Sequence, residues 1–115
     1  MSGAPALKLL VVRSSDLDRS HAFYTQLGLS FRPEKHGDGP FHYSCDLAGT
    51  VLELYPTKRP TGDLRLGFCV PSATTVVDNL LAAGFLAERP QFIEREGGSN
   101  VCLVHDPDGN VVELE

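Results

Sequence analysis

One short strand pattern occurs twice in this chain, and it constrains the fold more than any other feature. The segment TVLELY at residues 50–55 returns as NVVELE at residues 110–115. Each copy follows a glycine-containing turn and places a glutamate inside an apolar β-strand pattern, Glu53 in the first and Glu113 in the second. Burying an unpaired carboxylate is costly, so we expect each glutamate to have a specific partner or role. The repetition predicts a duplicated unit whose two glutamates face a shared space.

The helices of the two halves also correspond to each other. A strand at residues 7–14 precedes a helix that Ser15-Asp16 can cap and Gly28 can end. A strand at residues 64–70 precedes a second helix, which Ser72 can cap and Gly84 can end. Each half therefore begins with a strand followed by a helix.

Apolar periodicity adds three further strands to each half. They are predicted at residues 29–33, 41–47 and 51–55, and again at residues 85–88, 100–105 and 111–114. The predicted fold is α+β: two tandem βαβββ modules that form a curved eight-stranded mixed sheet with a cleft. The whole of residues 1–115 is one domain, with modules at 7–55 and 64–115 and a linker at 56–63.

Composition excludes several classes of function. The formal net charge of −5 argues against a nucleic-acid partner, which would need a basic face. No apolar run approaches the roughly 20 residues of a membrane span, and residues 1–5 do not resemble a secretion signal. The three cysteines are scattered without paired spacing, which is typical of reduced thiols. We therefore expect a cytoplasmic protein with no membrane partner.

Three segments of the chain resemble the vicinal oxygen chelate (VOC) superfamily, which contains glyoxalase I, extradiol dioxygenases and the bleomycin- and fosfomycin-resistance proteins. They are SDLDRSHAFY with Leu27-Gly28, LEL at residues 52–54, and DPDGNVVEL at residues 106–114. With the βαβββ repeat, they cover essentially the whole chain. The resemblance implies a glyoxalase/bleomycin resistance protein-like fold and a homodimer.

The resemblance also implies where a metal would bind. Metal enzymes of the superfamily take ligands from the first and last strands of each module, at positions that match Leu9, Glu53, Arg65 and Glu113 here. Leucine has no ligand atom and a guanidinium stays protonated, whereas a catalytic site takes about three protein ligands. We therefore predict no metal cofactor. Only in an alternative would Glu53 and Glu113 be ligands, to a divalent metal such as Ni, Zn, Fe or Mn.

Arg65 suggests what could replace a metal. We expect its planar guanidinium to bridge Glu53 and Glu113, either as a polar anchor for a ligand or as a purely structural ion pair. Alternation along the strands places Tyr55 on the Glu53 face. If Ala48-Gly49 is a two-residue hairpin turn, Ser44 lies opposite Glu53 with His42 on the same side. The candidate ligand-binding residues are Glu53, Arg65, Glu113, His42, Ser44 and Tyr55.

The same alternation leads to two further expectations, and several roles stay open. It places Cys102 on the cleft face and His105 on the face that packs under the helices. His42 is a general base, a hydrogen-bond donor to the ligand, or half-exposed scaffold. Tyr55 either stacks on a ligand or merely lines the cleft.

Two functions from different classes remain open. The first is a metal-free protein, similar to the bleomycin-resistance branch, that holds a small polar or charged organic molecule between subunits. The second is a metal-dependent glyoxalase-type lyase or isomerase, or a dioxygenase, that uses Glu53 and Glu113 as metal ligands.

Overall fold

Each half of the chain folds as a βαβββ module, as predicted. The computed structural model describes residues 3–115, so Met1 and Ser2, the first residues of the segment in which we predict no secretion signal, lie outside it. The first module comprises β1 (Leu9–Ser14), α1 (Leu17–Thr25), β2 (Arg32–Glu34), β3 (His42–Leu47) and β4 (Thr50–Pro56). The second comprises β5 (Arg65–Phe68), α2 (Ala73–Ala82), β6 (Phe92–Glu94), β7 (Asn100–His105) and β8 (Val111–Leu114).

The eight strands are divided between two hydrogen-bonded sheets of four. Their orders are β1-β4-β3-β2 and β5-β8-β7-β6, with a parallel first pair and antiparallel pairs after it. The α+β architecture with two repeated modules is therefore confirmed. Because the repeated strands β4 and β8 are each paired on both sides, Glu53 and Glu113 lie in the interior of their sheets.

The helix boundaries follow the local signals of the sequence. The Asp16 carboxylate accepts a hydrogen bond from the Arg19 backbone amide at 3.1 Å, and the Ser72 hydroxyl accepts one from the Thr75 amide at 3.1 Å. After the helices, Gly28 and Gly84 have φ angles of +98° and +83°, a conformation that glycine adopts without strain.

One apolar core joins both modules. Phe23 and Tyr24 of α1 are fully buried, and their rings contact Phe85 and Phe68 of the second module at centroid distances of 5.5 and 6.3 Å. Neither helix is long and apolar enough to cross a membrane, and this holds for all helical segments of residues 3–115.

A buried polar network also connects the modules. The Tyr24 hydroxyl donates to Asp106 Oδ2 at 2.7 Å, across 82 residues of sequence. Asp106 Oδ1 accepts from the Asp108 and Asn110 amides at 2.9 Å each, and the Asn110 side chain in turn accepts from the Leu64 amide at 3.0 Å. The DPDG segment is thus a turn whose carboxylates organise the junction.

The position of β6 differs from the prediction. Residues 85–88 form no strand, because Phe85 and Leu86 pack against the core directly after α2. Pro90 follows, and pairing with β7 begins only at Phe92, opposite Cys102. The predicted strand was therefore wrong, since apolar residues needed for the core were interpreted as part of the sheet.

Candidate functional site

Both glutamates lie on sheet faces that the helices do not cover. Glu53 pairs in register with Val11 of β1 and Ser44 of β3, and Glu113 pairs with Gly67 of β5 and Leu103 of β7. We call the face of the first sheet that carries Glu53 the first open face, and the corresponding face around Glu113 the second open face. The Ser44–Glu53 pairing confirms the predicted hairpin at Ala48-Gly49.

Two arginines hold the carboxylate of Glu113. Arg65 Nε donates to Glu113 Oε1 at 2.8 Å, its Nη2 makes a second contact with the same oxygen, and Arg95 Nη2 donates to it at 2.8 Å. The hydrogen bonds from Arg65 and then Arg95 lower the pKa of Glu113 below its usual value. The arginine side chains are 57% and 47% exposed, so part of each guanidinium faces solvent.

The predicted bridge between the two glutamates is not formed. Within residues 3–115, Arg65 pairs with Glu113 and makes no ion pair with Glu53. Glu53 instead approaches a histidine, with its Oε2 3.4 Å from His42 Nε2. The physical reason is that Arg65 lies on β5, which pairs with the Glu113 strand β8, whereas Glu53 lies on β4 of the other sheet.

His42 is buried near one edge of the first open face. Its side chain is 1% exposed, its Nδ1 lies 3.1 Å from the Pro40 carbonyl oxygen, and its ring stacks on Tyr55 at a centroid distance of 4.2 Å. Arg13 of β1 lies over the Tyr55 ring, with its Cζ 5.4 Å from the ring centroid. His42 is therefore part of a packed cluster and not a half-exposed strand residue.

Two residues that the sequence analysis did not single out complete this cluster. Glu34 Oε1 lies 3.4 Å from His42 Nε2 and 3.8 Å from His36 Nε2. The other oxygen, Glu34 Oε2, pairs with Arg32 Nε at 3.2 Å. Burial raises the pKa of Glu34, but the Arg32 hydrogen bond and the nearby positive charges outweigh it and lower that pKa. In the sequence, these residues could have been found from the Glu34-x-His36 spacing, which precedes a strand that begins with His42.

The remaining predicted residues divide between face and core. Ser44 is buried, and its Oγ has no hydrogen-bond partner within residues 3–115. Cys102 was wrongly predicted on the cleft face: it is fully buried in the core. His105 was wrongly predicted under the helices, because it pairs with Val111 on the second open face and is exposed. Both errors follow from the register of β7 against β8, which places Leu103 opposite Glu113.

Two shallow cavities open beside these faces. A cavity of about 190 Å³ lies next to Glu113 and is lined by Gly67, Phe68, Cys69 and Glu115. A second, of about 230 Å³, lies between Val11 and Arg13 of β1 and the linker. Cys69 is exposed and lines the first of these cavities, so a molecule there would meet its thiol. Cys45 and Cys102 are buried, and burial raises the pKa of their thiols.

Paired βαβββ modules with polar open faces define the structural class of this protein. The family model described as the Glyoxalase/Bleomycin resistance protein/Dioxygenase superfamily matches residues 6–114, and the chain belongs to that superfamily. It is 28% identical to a probable lactoylglutathione lyase of Vibrio cholerae serotype O1, over 90% of this chain and 85% of that protein.

Solved structures share the fold. Virulence protein STM3117 from Salmonella typhimurium is 25% identical, with a TM-score of 0.68, and the match covers 96% of this chain and 95% of that one. TnmS3, an antibiotic binding protein from Streptomyces sp. CB03234, is 21% identical, with a TM-score of 0.72 and coverage of 100% and 98%.

The residues at the superfamily's usual metal positions do not fit a metal ion. Leu9 offers no ligand atom, and its side chain is 51% exposed. Arg65 is a cation, and it already holds Glu113 together with Arg95. Only Glu53 is left with a carboxylate that no arginine neutralises, and one carboxylate is too few for a transition-metal site.

Proposed function

We propose that this chain binds a small polar or charged organic molecule at the second open face, without a metal at the superfamily's usual position. The observation that carries this proposal is the Arg65–Glu113–Arg95 cluster. It puts a cation, Arg65, at one of the expected metal-ligand positions and a second cation, Arg95, beside the same carboxylate. Such a cluster can anchor a polar ligand. A metal enzyme of the superfamily would need a metal ligand at the position of Arg65.

The chemistry of the cluster favours a ligand with an anionic group. Both guanidinium groups bond to the same oxygen, Glu113 Oε1, and remain about half exposed. Their outward N–H groups can donate to a carboxylate or phosphate in a fork geometry. The adjoining 190 Å³ cavity gives room for a small organic body beside that group. The fold shared with TnmS3, an antibiotic binding protein, supports a binding role.

We also propose that the protein is a homodimer in the cytoplasm. Leu9 and Ile93, on the open faces, are 51% and 55% exposed, and pairing two subunits would cover such apolar side chains. A cleft between subunits would then enclose the ligand. The free thiols at Cys45, Cys69 and Cys102 support a reducing compartment.

The test uses ligand-observed NMR with pairs of probes that differ only in charge. A panel of small aromatic and aliphatic carboxylates is compared with the corresponding carboxamides. We expect carboxylates to bind and the neutral amides to bind more weakly, and we expect Arg65→Gln to remove that difference. Arg89→Gln is the matched control, because Arg89 forms an exposed ion pair with Asp78 away from the face. Equal binding of acids and amides would contradict the proposal.

A second candidate is a metal-dependent enzyme of the glyoxalase type. The similarity to a probable lactoylglutathione lyase favours it. Its test is turnover of the methylglyoxal–glutathione adduct by protein reconstituted separately with Ni²⁺, Zn²⁺, Fe²⁺ and Mn²⁺. Turnover that disappears in Glu113→Gln would favour the enzyme, and the absence of turnover with every metal would favour the binding protein.

A further inference from the structure

Three potential ligand atoms converge at the edge of the first open face. Glu34 Oε1, His36 Nε2 and His42 Nε2 all lie within 4.8 Å of one another. His42 Nε2 is 3.4 Å from Glu34 Oε1, and His36 Nε2 is 3.8 Å from the same oxygen. They come from the end of β2, the following loop and the start of β3, which the hairpin pairing of Glu34 with His42 brings together.

The hydrogen bonds of His42 leave an electrostatic conflict at Nε2. The Pro40 carbonyl can only accept, so the ring nitrogen facing it, Nδ1, carries a proton. In the neutral ring, Nε2 is then a lone pair. It faces two further acceptors, Glu34 Oε1 and Glu53 Oε2, each at 3.4 Å. The ring is 1% exposed, and Nε2 has no hydrogen-bond partner within residues 3–115. A second proton on the ring, or a metal ion among these atoms, would give both carboxylates a positive partner.

The distances suit a small transition-metal ion. Zinc bonds of about 2.0–2.1 Å at tetrahedral angles separate neighbouring ligand atoms by about 3.3 Å. Within the three groups, Glu34 Oε1 and His42 Nε2 are 3.4 Å apart, nearly this value, and Glu34 Oε1 and His36 Nε2 are 3.8 Å apart. Two imidazoles and a carboxylate are a donor set that zinc and its neighbours in the first transition row prefer.

The groups around the cluster orient its members as they do in metal sites. A ligating histidine usually donates its other N–H to a backbone carbonyl or carboxylate, as His42 does to Pro40. Arg32 binds Glu34 Oε2, which leaves Oε1 directed at the two imidazoles. Arg32 also pairs with Asp46 at 3.1 Å, so its positive charge is shared between two carboxylates.

We propose that Glu34, His36 and His42 bind one divalent transition-metal ion of the zinc type, with Glu53 beside it to accept a hydrogen bond from a metal-bound water. This site lies on β2 and β3, away from the four positions on first and last strands that the superfamily uses. The second module has no equivalent, since Ile93 and Val101 form the register pair that corresponds to Glu34 and His42. The proposal is independent of ligand binding at the second open face.

The test is a zinc titration of the full chain, stripped of metal and containing no organic ligand, by isothermal titration calorimetry. We expect one equivalent of Zn²⁺ to bind. His36→Gln and Glu34→Gln each remove one ligand, from side chains that are 71% and 24% exposed, and should weaken zinc binding at least about tenfold. The matched controls are His105→Gln and Glu94→Gln, an exposed histidine and an exposed glutamate of the second module, which should bind zinc like the parent chain.

Nitrogen-15 NMR of the histidine rings supplies a readout that does not depend on variants. Zinc should shift the Nε2 signals of His36 and His42 and leave those of His21 and His105 unchanged. No zinc uptake, equal losses in the control variants, or shifts spread over all four histidines would overturn the proposal.

Discussion

Glu53 and Glu113 occupy equivalent places in the two modules, yet their neighbours have opposite chemistry. Glu113 is held by Arg65 and Arg95, whereas Glu53 faces Nε2 of His42. The difference arises from single residues on neighbouring strands. One carboxylate is neutralised by the protein itself, and the other remains available to a cation.

The ion pairs of Glu113 predict a pH-dependent contribution to stability. Because the folded state lowers its pKa, Glu113 stabilises the fold at pH values above its ordinary value of 4.5, and this contribution is lost as the pH falls through the lowered pKa. Urea denaturation of the parent chain and Glu113→Gln should therefore differ at pH 7, and the difference should shrink as the pH falls from 4.5 through the lowered pKa. A stability difference that does not change with pH would contradict this assignment.

The Tyr24–Asp106 hydrogen bond is expected to stabilise the junction of the two modules. Burial, and then the Asp106 charge, raise the pKa of Tyr24, so its hydroxyl remains a donor at 2.7 Å. Tyr24→Phe should lower the free energy of unfolding by about 1.5–3 kcal/mol, since it strips a buried carboxylate of a partner. Tyr43→Phe is the control, because its hydroxyl meets Asp18 on the surface at 3.1 Å. Equal losses in the two variants would contradict the buried role.

At the scale of elements, the strands and helices with strong local signals were predictable from the sequence. The caps at Asp16 and Ser72, the glycine ends of both helices, and the hairpin before Glu53 were all confirmed. The short outer strands β2 and β6 were misplaced, because three-residue strands have too little periodicity to be separated from core-packing loops. Glu34 and Arg95 were missed for that reason, since Glu34 lies on β2 and Arg95 directly follows β6.

A glycine of the linker between the modules is also expected to contribute to the free energy of unfolding. Gly62 has a φ of +68°, and a Cβ there would lie 2.7 Å from the Asp108 carbonyl oxygen. Gly62→Ala should therefore cost both the strain of a left-handed backbone and the displacement of the linker from the turn. Gly97→Ala is the matched control, because Gly97 has a φ of +87° with nothing within 4 Å, so it should cost about 1–2 kcal/mol from backbone strain alone. Similar losses at both glycines would show that the close approach is unimportant.

For the whole molecule, the duplicated fold was predictable because two copies of one pattern repeat in the same order. The separation of the strands into two sheets was not, since hydrogen bonding between β1 and β5 depends on how the modules pack and leaves no trace in either pattern. That separation decides the site, because it keeps Arg65 with Glu113 and away from Glu53.

The proposed homodimer predicts the effect of a charge on an open face. Leu9→Lys should shift the molar mass measured by light scattering after size-exclusion chromatography from dimer towards monomer without unfolding the subunit. The side chain is already 51% exposed in one subunit, so the lysine does not disturb the core. Thr74→Lys, on the exposed side of α2, is the control with the same charge. A monomeric parent chain would contradict the proposal directly.

The proposed cation site lies at the edge of the first open face and not at the superfamily's usual strand positions. The most direct measurement is an anomalous difference map at the zinc absorption edge from crystals soaked in zinc. We predict one strong peak bounded by Glu34, His36 and His42, and none at Glu113, where the guanidinium groups of Arg65 and Arg95 are bound. A peak shared by Glu53 and Glu113, or no ordered zinc at His42, would contradict the account.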